Sequence, residues 1–174
     1  MEDGKGWVES SLQWQTIEKF ARRGRSLEIF IKNKSRYMFK LEEDFLDSGE
    51  RFRTIFKDCI YPGSSWLTLV ANKAPSFSLS VGGGLKYRLH CPYCKENDCD
   101  DCKRCILYIG FGNPFIGNLV SFVSLTNVEH PAKYAFDEAK DGTFKSSSFG
   151  GLRGVVEMID AIYCSSKRIV FSVE

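Results

Sequence analysis

The spacing of apolar side chains changes near residue 25 of this chain. Within residues 7–23, Trp14, Ile17 and Ala21 recur at helical spacing and polar side chains occupy the other positions, which predicts an amphipathic helix. From residue 26 onward apolar and polar side chains alternate, which is the period of a β-strand with one buried face. The pattern therefore predicts one N-terminal helix followed by a β-rich body.

The β-rich body contains about ten short apolar runs separated by turn-forming residues. Residues 47–49 and 62–64 read as turns, and the three glycines 82–84 are interpreted as a flexible turn or bulge between two strands. A second, short helix is predicted over residues 131–139. The predicted fold is mainly β: a β-sandwich of about ten strands, with a barrel as the alternative, flanked by the N-terminal helix and this later helix.

Length and composition indicate a single domain, residues 1–174. The hydrophobic fraction of 43% and the aromatic fraction of 14% are sufficient for a buried core. The formal net charge is only +2, from 24 basic and 22 acidic residues, so we expect no nucleic-acid partner.

Neither a membrane-spanning segment nor a secretion signal is recognisable. No run of about 18 apolar residues occurs. The first residues lack a basic stretch followed by an apolar one. We therefore expect a cytoplasmic or peripheral membrane protein in a reducing compartment. Secretion stays open, because a mature chain without its leader would look the same.

Cysteine is concentrated in residues 90–105, which hold five of the seven cysteines. Two C-x2-C pairs lie close together there, and such pairs are a common ligand set for tetrahedral zinc. The segment is otherwise rich in charge, so a metal or a covalent link is needed to order it. We predict a hairpin insert closed by a structural Zn²⁺, with His90 and Cys105 in reserve and four ligands: Cys91, Cys94, Cys99 and Cys102.

Two other uses of these cysteines fit the same spacing. Disulfides are the first, with Cys91 bridged to Cys105 at the base of the hairpin. Free or redox-active thiols are the second. The remaining cysteines, Cys59 and Cys164, lie in apolar contexts and are interpreted as buried thiols.

Motifs for enzyme chemistry are missing from the sequence. The chain has two histidines, and neither belongs to a nucleophile motif. We interpret His130 as a surface loop residue. The carboxylates of Glu42 and Glu43 are adjacent, so their side chains should diverge rather than cooperate. The sequence therefore predicts a protein that is not an enzyme.

Several short words, in one order from about residue 15 to the end, carry a family resemblance. They are SLEIFIKNKS, DFLDSG, IYPGSSWLTLVANK, GGLKYRL, FGNPFIGNLVSFVSL, PAKYAFDEA and IVFSVE. In this order the chain resembles the actinoporins, pore-forming cytolysins first known from sea anemones. The resemblance implies a β-sandwich with a helix on each side. It also implies membrane lipid as the partner, and a homo-oligomeric pore lined by the N-terminal helix.

Individual positions follow from this resemblance. Ser48 matches the serine of the family's lipid-headgroup pocket, and Tyr134 matches the first tyrosine of its second helix. Pro114 matches the proline of the aromatic-rich loop, where this chain has Phe115 and Ile116 instead of Tyr and Trp. The resemblance therefore implies an apolar contact loop beside a lipid pocket.

The predicted N-terminal helix has two interpretations. It is about 25 Å long, which approaches the thickness of a bilayer core. Trp7 and Trp14 would lie at the membrane interface, with Ile17 on the same apolar stripe. The alternative is a helix packed permanently on the sandwich.

The second candidate function is a non-lytic module that binds a glycan or a protein. The zinc-clipped hairpin would then be its contact surface. A redox-sensing protein built around the thiols is the third candidate.

Overall fold

The computed structural model describes seven stretches of the chain: 25–51, 56–72, 80–92, 105–114, 116–142, 146–160 and 167–174. The predicted N-terminal helix lies outside these stretches. So do several predicted site residues: Trp7, Trp14, Ile17, Cys94, Cys99, Cys102 and Phe115. Among the described residues, no helix is both long and apolar enough to cross a membrane.

The described elements are strands, apart from one helix. They are β1 (Ser26–Asn33), β2 (Met38–Ser48), β3 (Glu50–Arg51), β4 (Cys59–Ile60), β5 (Ser65–Ala71), β6 (Val81–His90), β7 (Ile106–Asn113), β8 (Val120–Thr126), α1 (Ala132–Asp141), β9 (Ser146–Phe149), β10 (Leu152–Asp160) and β11 (Lys167–Val173). The prediction of a mainly β chain is confirmed. The later helix is present and ends slightly beyond its predicted end.

The strands form two sheets around one core. The six-stranded sheet has the order β3-β5-β1-β11-β10-β9, and the five-stranded sheet has the order β4-β2-β6-β7-β8. β1 pairs in parallel with β11 and antiparallel with β5. One hydrophobic cluster contains side chains from both sheets, as expected of a β-sandwich; its members include Leu27, Ile29, Ile31, Phe171, Leu85, Tyr87, Leu107 and Phe111.

A buried asparagine joins the two sheets at each end of the molecule. At the loop end, where β2 and β7 finish, the Asn113 side-chain amide donates to the Ser26 carbonyl at 3.3 Å. At the turn end, where residues 34–37 and 61–64 connect strands, the Asn33 amide donates to the Ile60 carbonyl at 3.0 Å. Both ends are therefore held by hydrogen bonds between the sheets.

Of the predicted turn or bulge at glycines 82–84, the turn is absent, because they lie inside β6, whereas a register shift between Leu46 and Ser48 of β2 lies opposite Gly82 and Gly83. Gly84 is paired with Gly110 of β7, and α1 packs directly over both. A Cβ at Gly84 would lie 2.2 Å from the Ala132 carbonyl oxygen, and one at Gly110 would lie 1.9 Å from that of Ala135. The glycines are needed because the helix backbone contacts the sheet backbone here.

Candidate functional site

Three adjacent strands bring two of the predicted lipid-binding residues to the loop end. Ser48 of β2 is paired with Gly82 of β6, which is paired with Gly112 of β7. Pro114 follows Gly112 by two residues. Ser48 and Gly112 are thus about two strand spacings, or about 10 Å, apart, and Pro114 lies about 7 Å further along the chain. The structure places them on one surface.

Ile116 lies in the loop that connects β7 to β8 and is 83% exposed. Gly117 follows in a left-handed backbone conformation, with φ of +109°, so the chain reverses directly after the isoleucine. Leu119 then returns to pack against the core between the sheets. Both ends of the loop are therefore anchored while Ile116 points into solvent.

Polar groups accompany this apolar side chain. The Ser80 hydroxyl donates a hydrogen bond to the Ser48 hydroxyl at 3.3 Å, and both serines are half-buried. Gly49 beside them has φ of +93°, and a Cβ there would lie 2.9 Å from the Ala71 carbonyl oxygen. Two hydroxyls and an exposed apolar side chain therefore share the loop end.

Tyr134 is not part of this group. Its ring contacts Tyr108 edge-on at 5.5 Å and Phe122 at 5.8 Å, measured between ring centroids. Tyr108 lies four residues before Gly112 in β7, or about 13 Å along the strand. Tyr134 therefore faces toward the turn end, whereas the predicted pocket lies at the loop end.

Helical geometry explains the separation. Residues two apart on a helix point to opposite sides, since each residue turns by about 100°. Phe136, not Tyr134, lies over Gly82, and its ring is 6.0 Å from that of Phe45. Phe136 is thus the aromatic residue of α1 that lies closest to Ser48 in register, and the word match alone did not reveal it.

His130 is also more than a surface loop residue. Its ring stacks on that of Tyr134 at 4.1 Å. Its backbone N–H donates to the buried Tyr108 hydroxyl at 2.6 Å, and that hydroxyl donates to the His130 carbonyl at 2.9 Å. Burial raises the pKa of Tyr108, although the bond from the His130 N–H lowers it in part. These contacts fix the chain just before α1.

An ion-pair network lies beside this aromatic cluster. Arg88 donates to Glu129 at 2.9 Å and to Glu42 at 3.0 Å, and Lys86 lies 3.4 Å from Glu42. Lys86 also bonds Glu129 directly. Hydrogen bonds from Lys86 and Arg88 hold the pKa of the Glu129 carboxyl below its usual range. Partial burial is the largest single influence on Glu42 and raises its pKa, but the hydrogen bonds and charges of Arg88 and Lys86 together outweigh it, so the net pKa is lowered.

Glu43 has a different role from its neighbour Glu42. Its carboxylate accepts a hydrogen bond from the Ala132 N–H at 3.0 Å, at the start of α1. Pro131 at the N-cap offers no side-chain cap, so a carboxylate from β2 caps the helix instead. The two carboxylates have separate partners, but both lie on the side of the sheet that α1 covers, because a register shift between Leu41 and Glu43 interrupts the alternation of β2 there.

Only the base of the predicted cysteine hairpin is described. Cys105 is a buried free thiol, and burial raises its pKa to about 11. The Cys91–Cys105 disulfide, one of the alternatives, is therefore absent at this base. No group of three metal-ligating side chains occurs within the described stretches. Because Cys94, Cys99 and Cys102 lie outside them, the zinc clip stays a prediction.

Comparisons with known proteins give one informative likeness. No protein-family model and no curated protein matches the chain by sequence. By structure it is similar to the lipid-binding protein Nakanori, with a TM-score of 0.64 and 12% identity over 97% of this chain and 83% of that one. It is also similar to IP-1A from Alcaligenes faecalis, with a TM-score of 0.47 and 15% identity over 89% and 94% of the two chains. The first likeness concerns the fold alone, and the second is too weak to carry an argument.

Proposed function

We propose that this protein binds membrane lipid peripherally through its loop end, with Ile116 as the apolar contact. The observation that carries the proposal is the 83% exposure of Ile116 in a loop whose two ends are anchored. A single exposed aliphatic side chain is common on protein surfaces, so the proposal depends on where Ile116 lies: in an anchored loop, at the same end of the sheet as the Ser48 and Ser80 hydroxyls. The shared fold with a protein described as lipid-binding, and the resemblance to actinoporins, support the same function.

The expected strength of this contact follows from its area. Moving one isoleucine side chain from water into an apolar layer is favourable by about 1.5–3 kcal/mol. That corresponds to roughly a tenfold to hundredfold gain in membrane partitioning. Stable binding needs further contacts, for which Ser48 and Ser80 offer hydroxyls to a headgroup and Phe115 a second apolar side chain. No catalytic step belongs to this proposal.

The test compares two exposed aliphatic residues at opposite ends of the five-stranded sheet. Ile116→Asp should lower sedimentation with phosphatidylcholine vesicles at least about tenfold, because a charge now faces the bilayer. Val128→Asp is the matched control, since Val128 is 53% exposed beyond the other end of β8. It should retain binding within about twofold. Equal loss in both variants, or no binding of the unaltered protein to vesicles with or without phosphatidylserine, contradicts the proposal.

The finer proposal is that bound protein oligomerises and opens a pore through residues 7–23. Trp7 and Trp14 would anchor this segment at the interface, and Ile17 would face lipid. Ile17→Asp should then reduce dye release from vesicles while leaving vesicle sedimentation within about twofold of the unaltered protein. Unchanged dye release would refute the pore and leave peripheral binding intact.

A further inference from the structure

A cleft at the turn end, remote from the proposed membrane loop, combines a cation, aromatic rings and hydroxyls. Its volume is about 310 Å³, at the small end of the range for ligand sites. It lies where β4, at the edge of one sheet, approaches β5 of the other. Its polar and aromatic lining consists of Lys57, Cys59, Tyr61, Ser64, Ser65 and Trp66.

The turn that forms the cleft wall is held rigidly by one buried residue. Asn33 is 1% exposed, and its backbone N–H donates to the Ser64 carbonyl at 2.9 Å. Its own carbonyl accepts from the Gly63 N–H at 2.8 Å, and its side chain donates to the Ile60 carbonyl. The Ser64 hydroxyl closes the turn by donating to the Tyr61 carbonyl at 2.6 Å. Binding here would require little ordering of the backbone.

Lys57 gives the cleft its charge. Its ammonium lies 4.6 Å from the centroid of the Trp66 ring. This cation–π contact attracts the ammonium but does not neutralise its charge. Within the described residues, Lys57 forms no ion pair with a carboxylate. Lys40 is paired with Cys59 in the adjacent strand, so a second cation is close, and the exposed Asp58 is the neighbouring acid. The local balance favours an anion.

Two hydroxyls in the cleft are available as donors. Neither Tyr61 nor Ser65 makes a hydrogen bond through its hydroxyl within the described part of the chain. Tyr61 is 59% exposed, so its ring also offers an apolar face at the cleft mouth. Cys59, interpreted from the sequence as buried, is half-buried here, which is explained by its place in the cleft wall.

We propose that this cleft binds a small phosphate monoester. The three donors of the Lys57 ammonium and the Tyr61 and Ser65 hydroxyls match the several acceptor oxygens of a dianionic phosphate. The organic part of the ester would contact the Tyr61 ring. Because the cleft lies at the end opposite Ile116, the ester is a soluble one if the membrane-binding proposal holds.

The experiment is calorimetric titration of the full-length protein with glucose 6-phosphate, inorganic phosphate and glucose. Glucose 6-phosphate should bind, inorganic phosphate should bind at least about fivefold more weakly, and glucose should not bind. Lys57→Met should weaken glucose 6-phosphate binding at least about tenfold. Lys40→Met is the matched control, because it removes a neighbouring charge that does not line the cleft. It should change the affinity no more than about threefold.

Three outcomes would overturn the proposal. The first is the absence of binding to either phosphate compound. The second is an equal effect of Lys57→Met and Lys40→Met, which would indicate diffuse electrostatic attraction. The third is a loss of binding to phosphatidic acid vesicles that is as large in Lys57→Met as in Ile116→Asp, because the ester would then be a lipid headgroup. Failure of Ile116→Asp to alter vesicle binding concerns the membrane proposal alone.

Discussion

The two faces of the five-stranded sheet are buried in different ways. On the inner face, Leu85, Leu107 and Phe111 pack against the six-stranded sheet, and burial needs only apolar side chains of suitable size. On the outer face, α1 lies on Gly84 and Gly110, and the contact brings backbone against backbone. The inner face therefore tolerates replacement of one apolar side chain by another of similar size. The outer face depends on particular residues and on the atoms that they contact.

Two buried tyrosines on adjacent strands show the same contrast. Tyr108 faces outward, and its hydroxyl both donates to and accepts from the backbone of His130. Tyr87 faces the inner core, and its hydroxyl has no hydrogen-bond partner within the described residues. Burial, followed by the charge of Asp44, raises the pKa of Tyr87 strongly, so this phenol stays neutral. The Tyr108 hydroxyl thus stabilises the fold on the outer face, whereas the Tyr87 hydroxyl adds a desolvation cost on the inner face.

The largest expected effect is at the glycine contact under α1. Gly110→Ala should lower the free energy of unfolding by about 3 kcal/mol, because the new methyl group meets the Ala135 backbone and the helix must move. Gly142→Ala is the control, since nothing lies within 4 Å of its Cβ position and its φ of 167° suits any residue. Urea denaturation measures both. A loss below about 1 kcal/mol for Gly110→Ala would show that the outer face accommodates change as readily as the inner one.

A smaller effect distinguishes the two tyrosines. Tyr108→Phe should lower the free energy of unfolding by about 1–2 kcal/mol, because the His130 N–H loses its buried acceptor. Tyr87→Phe should leave it unchanged or raise it by up to about 1 kcal/mol, because a buried hydroxyl without a partner is removed. The same denaturation experiment measures both variants. Equal losses would remove the distinction between the faces.

The smallest effect concerns pH and the ion pairs beside α1. Glu42 and Glu129 have pKa values below their unfolded value of 4.5. Their contribution to stability is therefore present above that value and is lost as the pH falls through the lower folded values. The double variant Glu42→Gln/Glu129→Gln should lose less stability than the unaltered protein between about pH 6 and about pH 3. The difference should be under about 1 kcal/mol, because Glu129 is largely exposed. Parallel pH profiles for the two proteins would contradict it.

Local pattern predicted the elements well where their environment was ordinary. The alternation at Leu27, Ile29 and Ile31 predicted β1, and all three side chains are in the core. The glycines 82–84 predict a turn or bulge, since glycine usually marks such positions, but they lie inside a strand. Their role depends on a helix about fifty residues later in the chain, which no local rule describes.

The residues of the candidate site were likewise predicted only in part from the sequence. The word match indicated Ser48 and Pro114, and strand register does bring them to one end. It also indicated Tyr134, but the rotation of α1 directs that ring away and turns Phe136 toward the loop end. The cleft at Lys57 and Trp66 is lined by residues of the short segment 57–66, but it gave no sequence signal, because no local pattern shows that β4 and β5 enter different sheets.

By itself, the sequence determined the class of fold, the later helix, and the clustering of cysteines within residues 90–105. These properties depend on spacing over a few residues, where backbone geometry alone relates sequence to structure. The tertiary structure decided which groups meet: Glu43 with the N–H of Ala132, 89 residues later, and Asn113 with the carbonyl of Ser26, 87 residues earlier. Such contacts follow from strand register and sheet packing, which depend on the whole chain burying its apolar faces at once.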